Sequence, residues 1–200
     1  PIKSSAASDV YKRQVAAHLC HGEVVVSTTG MISRELFEYR EAAGEGHSHD
    51  FLTVGSMGHA SQIALGIALQ QPTRQVYCLD GDGASLMHMG SWTIIGQLAP
   101  ANYYHILLNN GAHDSVGGQP TVGLRIDFPA IASACGYKTT LCVATHKELD
   151  EVLAHLDTYQ APVLLEIKVR KGARKDLGRP TTTPIENKES LMRLLNEENQ

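Results

Sequence analysis

The sequence predicts an α/β protein: a parallel sheet of about five to six strands with helices on both faces. Three observations carry this expectation. Short apolar runs alternate along the chain with longer segments whose apolar residues recur every three to four positions. The strand-like runs are mostly apolar throughout, as in strands covered on both sides, rather than alternating. Turns rich in glycine, threonine or asparagine follow several of these runs, at the strand ends where such sheets bind ligands.

The elements follow in order. Residues 1–14 show neither helical nor strand periodicity and read as a non-native or disordered leader, so the domain is expected over 15–200. Residues 15–20 read as the tail of a helix, 23–27 as a strand and 33–39 as a helix. Residues 41–50 are polar and rich in glycine and histidine, a surface loop in which His47, His49 and Asp50 have a metal-like look but no further ligands at helical spacing. A short strand over 51–54 leads to the turn Gly55-Ser56-Met57-Gly58. A helix is expected over 59–70, its Gly66 marking close packing on the sheet.

Residues 75–79 read as the central strand, and 85–97 as one helix with Leu86, Met89, Trp92, Thr93 and Gly96 on one side. The run 104–108 is another strand, ending in Asn109-Asn110. The glycine-rich stretch 111–123 is long for a loop in a compact domain, which points to function. Asp127 is placed to cap a helix ending at Gly136, with Pro129 in its first turn. Strands over 138–143 and 162–169 flank a helix over 146–156, and a polar linker over 170–184 precedes a last helix.

Composition narrows the partners. Hydrophobic residues make up 42% and charged residues 19% of the 200 positions, room for one domain with a full core. The formal net charge of −4 argues against a nucleic-acid surface, and the basic stretch 168–175 reads as a solvated loop. No apolar run approaches the roughly 18 residues of a membrane span, and no secretory signal is visible. Cys20, Cys78, Cys135 and Cys142 lack paired spacing and read as buried free thiols, so a cytoplasmic location is expected.

The chemistry is concentrated in Gly81-Asp82-Gly83-Ala84-Ser85, where a strand meets a helix. Glycines let backbone N–H groups approach a ligand, and a helix start favours phosphate. A dinucleotide fingerprint would need glycine at 86, which is Leu86. A phosphatase of the haloacid dehalogenase kind would use Asp80 and Asp82 but wants a hydroxyl at 84, which is Ala84. A third reading adds Asn110, 28 positions beyond Asp82: a carboxylate and a carboxamide converging beside a phosphate fit Mg²⁺ with oxygen ligands.

Gly81-Asp82-Gly83 followed by Asn109-Asn110 resembles the motif of thiamin-diphosphate-dependent enzymes, and the likeness extends over about residues 23–170. The resemblance implies a thiamin-diphosphate-binding fold and a Mg²⁺ ion held by Asp82, Asn110 and the carbonyl of Ala112, bridging the diphosphate. Gly81, Gly83, Ala84, Ser85, Thr28 and Thr29 are the expected diphosphate neighbours. Gly55 would accept a hydrogen bond from the aminopyrimidine, and Met57 would wedge between the two rings.

Ser33-Arg34-Glu35-Leu36-Phe37-Glu38, Gly58-His59-Ala60-Ser61-Gln62 and Asn110-Gly111-Ala112-His113-Asp114-Ser115 further resemble the phosphonopyruvate decarboxylase family, with sulfopyruvate decarboxylase a close relative. The implied reaction converts 3-phosphonopyruvate to phosphonoacetaldehyde and CO2, with the cofactor as electron sink. His113 and Asp114 are the candidates for relaying a proton or ordering the loop. The family also needs a glutamate from a pyrimidine-binding domain. The chain is therefore expected to be the C-terminal half of a longer enzyme, or one subunit of a homo- or hetero-oligomer.

Overall fold

The structure, a computed structural model, describes residues 4–19, 22–172, 174 and 176–197. Its centre is a six-stranded sheet in the order β2-β1-β3-β4-β8-β7, with every pair parallel. The strands are β1 (Val24–Ser27), β2 (Asp50–Leu52), β3 (Val76–Gly81), β4 (Tyr103–Asn109), β7 (Thr139–Val143) and β8 (Val163–Lys168). A separate antiparallel pair, β5 (Ala112–His113) and β6 (Gln119–Pro120), structures the glycine-rich loop.

Two cores explain why the strands read as continuously apolar. Val25, Tyr77, Leu79, Ile106 and Leu165 point to one face, against α1 (Ser4–His18), α2 (Met31–Ala43) and α7 (His146–Leu153). Val24, Val26, Cys78, Leu107 and Leu164 point to the other, against α3 (Ala60–Gln70), α5 (Trp92–Leu98), α6 (Phe128–Cys135) and α8 (Pro184–Glu197). The period-2 alternation of side chains gives each layer its own apolar set. From β1 the chain runs outward to β2, then crosses back to β3 on the other side. The β1/β3 boundary is therefore a switch point, and its carboxyl ends carry Thr28 and Asp82.

Several helix ends follow local rules. Asp127 accepts from Ala130 N–H at 2.9 Å and Gly136 closes α6 in the left-handed region. Thr145 and Glu148 form a capping box at α7.

Other expectations are corrected. Residues 4–14 belong to helix α1 despite their weak periodicity. Tyr11 is buried with its hydroxyl on the Ala144 carbonyl at 2.9 Å, and Lys12 pairs with Glu35 at 2.5 Å. Asp50 is not in a surface loop: it opens β2, fully buried, and takes both Arg40 Nε and Nη2 at 3.1 and 3.2 Å. His47 is drawn to Glu41 and stacks on Phe37, so no metal reading survives there. Asn187 of α8 donates to Asp50 O and accepts from Leu52 N, covering the edge of β2.

The helix expected over 85–97 is broken into α4 (Asp82–Met87), a 3₁₀ turn and α5. The break lies where the Gly58 turn comes against the Ala84 carbonyl and the His88 ring. The basic stretch is exposed at Lys168, Arg170 and Lys171, as expected of a solvated loop, but it is also tied down: Lys171 bonds the Gly118 carbonyl and Arg174 pairs with Glu38. Lys175 and Cys20 lie outside the described residues. Cys78 is buried, but Cys135 is half-buried and Cys142 exposed.

Gly66 is exposed, and a Cβ there would meet nothing. The close packing falls at Gly96, where a Cβ would overlap the Cys135 carbonyl. Gly96→Ala is expected to destabilise by about 1–3 kcal/mol through overpacking, and Gly66→Ala to stabilise by about 0.5–1 kcal/mol through helix propensity. Thermal unfolding of the two variants measures both.

Candidate functional site

The site forms where β3 ends and α4 begins, because the chain must turn sharply out of the sheet there. Asp80, the last fully buried residue of β3, accepts from Gly81 N–H at 2.9 Å and from the Ser85 hydroxyl at 2.7 Å. These bonds close the corner. His105 Nε2 stands 3.4 Å from the same carboxylate but is not aligned as a hydrogen bond, while its Nδ1 meets the Tyr137 hydroxyl at 3.1 Å. Cys78, Asp80 and His105 lie close enough together to ligate an ion, yet all three are sealed in the core and serve as a polar scaffold.

Asp82 follows at the first position of α4 and is 1% exposed. Its carboxylate accepts from the Thr121 hydroxyl and, at 3.4 Å, from Asn110 N–H. Burial raises its pKa, and hydrogen bonds from Thr121 and the Asn110 backbone only partly offset this. No cation contributes among the described residues.

Asn110 and Ala112 come from the other side, carried by β4 and the β5–β6 loop. The Asn110 carboxamide donates to Asp114 Oδ2 at 2.7 Å and accepts from Ala112 N–H at 2.9 Å. Asp114 also accepts from Gly172 N–H at 2.9 Å, so it links the loop to the strap. Behind them Asn109 donates to Glu166 at 2.6 Å and to the Gly123 carbonyl at 2.9 Å.

Asp82, Asn110 and Ala112 line one narrow cleft of about 70 Å³ with Thr28, Thr29, Gly81, Gly83, Ala84, Met57, His113 and Asp114. Most expected site residues are thus brought together. Ser85 is not among them, since its hydroxyl is turned to Asp80. Gly55 lines an adjoining cavity that shares Met57 with the cleft. Gly55, Ser56 and Gly58 all have positive φ, which holds this turn tightly against α4. The His113 ring packs on Gly83, where a side chain would overlap it.

The residues fit a metal-bound diphosphate. Asp82 is a buried carboxylate with no cationic partner among the described residues, and oxygen ligands beside it suit a hard cation. The Thr28 hydroxyl is buried without a hydrogen-bond partner among the described residues, a donor left for a ligand. The phosphatase alternative fails on the same geometry: its nucleophile would be Asp80, which is fully buried and engaged.

Four residues of the site were missed in the sequence: Thr121, Gly123, Asn109 as a scaffold, and Glu166. A glutamate inside the apolar run Val163-Leu164-Leu165-Glu166-Ile167 was the available signal, since an acid is rarely fully buried without a partner.

Comparison with known proteins places the chain in a family. The profile described as "Thiamine pyrophosphate enzyme, C-terminal TPP binding domain" matches residues 28–167. The chain belongs to this family of thiamin-diphosphate-binding enzymes. It is 40% identical over 173 residues to phosphonopyruvate decarboxylase of Streptomyces viridochromogenes, covering 86% of this chain and 42% of that one. It is 36% identical over 132 residues to sulfopyruvate decarboxylase subunit beta of Methanocaldococcus jannaschii, covering 66% of each. A thiamin diphosphate-dependent enzyme structure from Mycobacterium smegmatis shares the fold, with a TM-score of 0.64, 19% identity, and 86% of this chain and 32% of that one covered. The chain spans about two-fifths of the Streptomyces relatives it matches. Among the described residues no helix is long and apolar enough to cross a membrane.

A Cβ at Gly123 would stand 2.7 Å from Asp82 Oδ2 and 2.8 Å from Asn109 Oδ1. Gly123→Ala should therefore displace the carboxylate and weaken thiamin diphosphate binding about tenfold or more, with Thr121→Val weakening it less. Calorimetric titration of both variants measures this.

Proposed function

We propose that this chain is the diphosphate- and Mg²⁺-binding half of an enzyme that decarboxylates 3-phosphonopyruvate to phosphonoacetaldehyde and CO2. The observation that carries the reading is the convergence of the buried Asp82 carboxylate with Asn110 and Ala112 in a cleft that also holds the Thr28 hydroxyl, which has no partner among the described residues. The 40% identity to a phosphonopyruvate decarboxylase supports the substrate.

When bound, thiamin diphosphate supplies the nucleophilic carbon and the electron sink that let a 2-oxo acid lose CO2. Asp82, Asn110 and the Ala112 carbonyl hold the metal, and Thr28 donates to the diphosphate. Gly55 and Met57 bind the organic end. Asp114 is a positioning residue, acting through Asn110. His113 lines the cleft and is the imidazole proposed to hand a proton to the product. The activating glutamate belongs to a pyrimidine-binding domain or subunit that completes the site in a homo- or hetero-oligomer, and the reaction is assigned to the cytoplasm.

A second reading, the cofactor-binding subunit of a sulfopyruvate decarboxylase, is favoured by the equal 66% coverage of this chain and of that relative. Decarboxylation of the two substrates, assayed after adding a pyrimidine-binding partner, separates the readings. Faster turnover of sulfopyruvate would reverse the assignment.

The metal reading is tested with the chain alone. Thiamin diphosphate should bind only with Mg²⁺, and Asp82→Ala should weaken it at least a hundredfold. Because burial raises the Asp82 pKa, the carboxylate is protonated at a higher pH than an ordinary aspartate. A metal ligand must be deprotonated, so affinity should fall on acidification before an exposed aspartate would titrate. Calorimetry from pH 7 downward measures it.

A further inference from the structure

Beside the cofactor cleft lies a larger cavity, about 620 Å³, that shares Thr29, Met57 and Ser115 with it. The volume is within the roughly 300–1,000 Å³ typical of small-molecule sites. Its charge is one-sided. Arg34 and Arg179 line it, and among the described residues no acidic side chain does. Neither arginine makes a side-chain hydrogen bond or ion pair among the described residues. Arg34 is half-buried and Arg179 exposed, and neither guanidinium has a counter-ion among the described residues.

The two arginines are far apart in sequence, yet the fold brings them to one cavity. Arg34 stands on α2, and one turn later Glu38 accepts Gly178 N–H at 2.7 Å and pairs with Arg174. That clamp fixes the strap immediately before Arg179. The two acids near Arg34 on α2 are thereby engaged elsewhere, Glu35 by Lys12 and Glu38 by the strap, which leaves both cavity arginines for a ligand.

We propose that Arg34 and Arg179 form the subsite for the anionic group on C3 of the substrate, with Met57 marking the boundary to the reacting carbon. This deepens, and rests on, the decarboxylase reading above. Guanidinium groups bind tetrahedral oxyanions through paired N–H donors, and such charge-assisted bonds are the strong ones. Ser115 and Thr182 add hydroxyls to the same wall. A phosphonate and a sulfonate share this chemistry. They differ in charge, and two arginines favour the more highly charged phosphonate.

The test uses 3-phosphonopropionate, which lacks the 2-oxo group and cannot be decarboxylated, titrated into the chain saturated with thiamin diphosphate and Mg²⁺. Saturable binding is expected, weakened about tenfold or more by Arg34→Gln and by Arg179→Gln, with thiamin diphosphate affinity and melting temperature unchanged. Arg125→Gln, which removes an exposed arginine outside the cavity, should have no effect. 3-Sulfopropionate should bind more weakly, and tighter sulfonate binding would overturn the preference for phosphonate. Absence of saturable binding, or an equal loss in Arg125→Gln, would overturn the subsite while leaving the cofactor reading intact. Failure of thiamin diphosphate to bind at all would overturn both.

Discussion

Everything at the switch point depends on keeping the Asp82 carboxylate buried in a fixed direction. Removing an unpaired carboxylate from water is costly, and such a group protonates unless donors or a cation hold its charge. Thr121 and the Asn110 backbone supply donors, but burial still raises the pKa. The charge is only partly satisfied by the protein. Under the proposed function, a cation at this position would complete the arrangement.

The surroundings follow from that constraint. The Asp80 carboxylate locks Gly81 and Ser85, which sets where α4 starts and hence where Asp82 points. Gly123 lies so close to Asp82 and Asn109 that any side chain would collide with them. Glu166 holds Asn109 from below, and Asp114 holds Asn110 from above. Strap, loop and sheet are thereby connected through two consecutive asparagines.

Much of this was readable from sequence. The continuously apolar runs indicated strands buried on both faces, and each became a strand of the parallel sheet. Asp82 and Asn110 announced themselves by residue type and by following strands. What stayed hidden depended on tertiary contact. Gly66 and Gly96 look alike in a helical pattern, and only the neighbouring Cys135 carbonyl distinguishes them. Asp50 looked like part of a solvated histidine loop because its partner, Arg40, lies in the preceding helix. Arg34 and Arg179 are 145 positions apart and line one cavity, with Glu38 holding the strap just before Arg179.

The most direct measurement replaces Mg²⁺ with paramagnetic Mn²⁺ and follows the ³¹P resonances of thiamin diphosphate bound to the chain. An ion held by Asp82, Asn110 and Ala112 against the diphosphate should broaden both phosphorus signals strongly, and Asp82→Ala should abolish that broadening. Sharp phosphorus signals in the wild-type chain at saturating cofactor, or broadening that persists in the variant, would contradict a metal site built on Asp82.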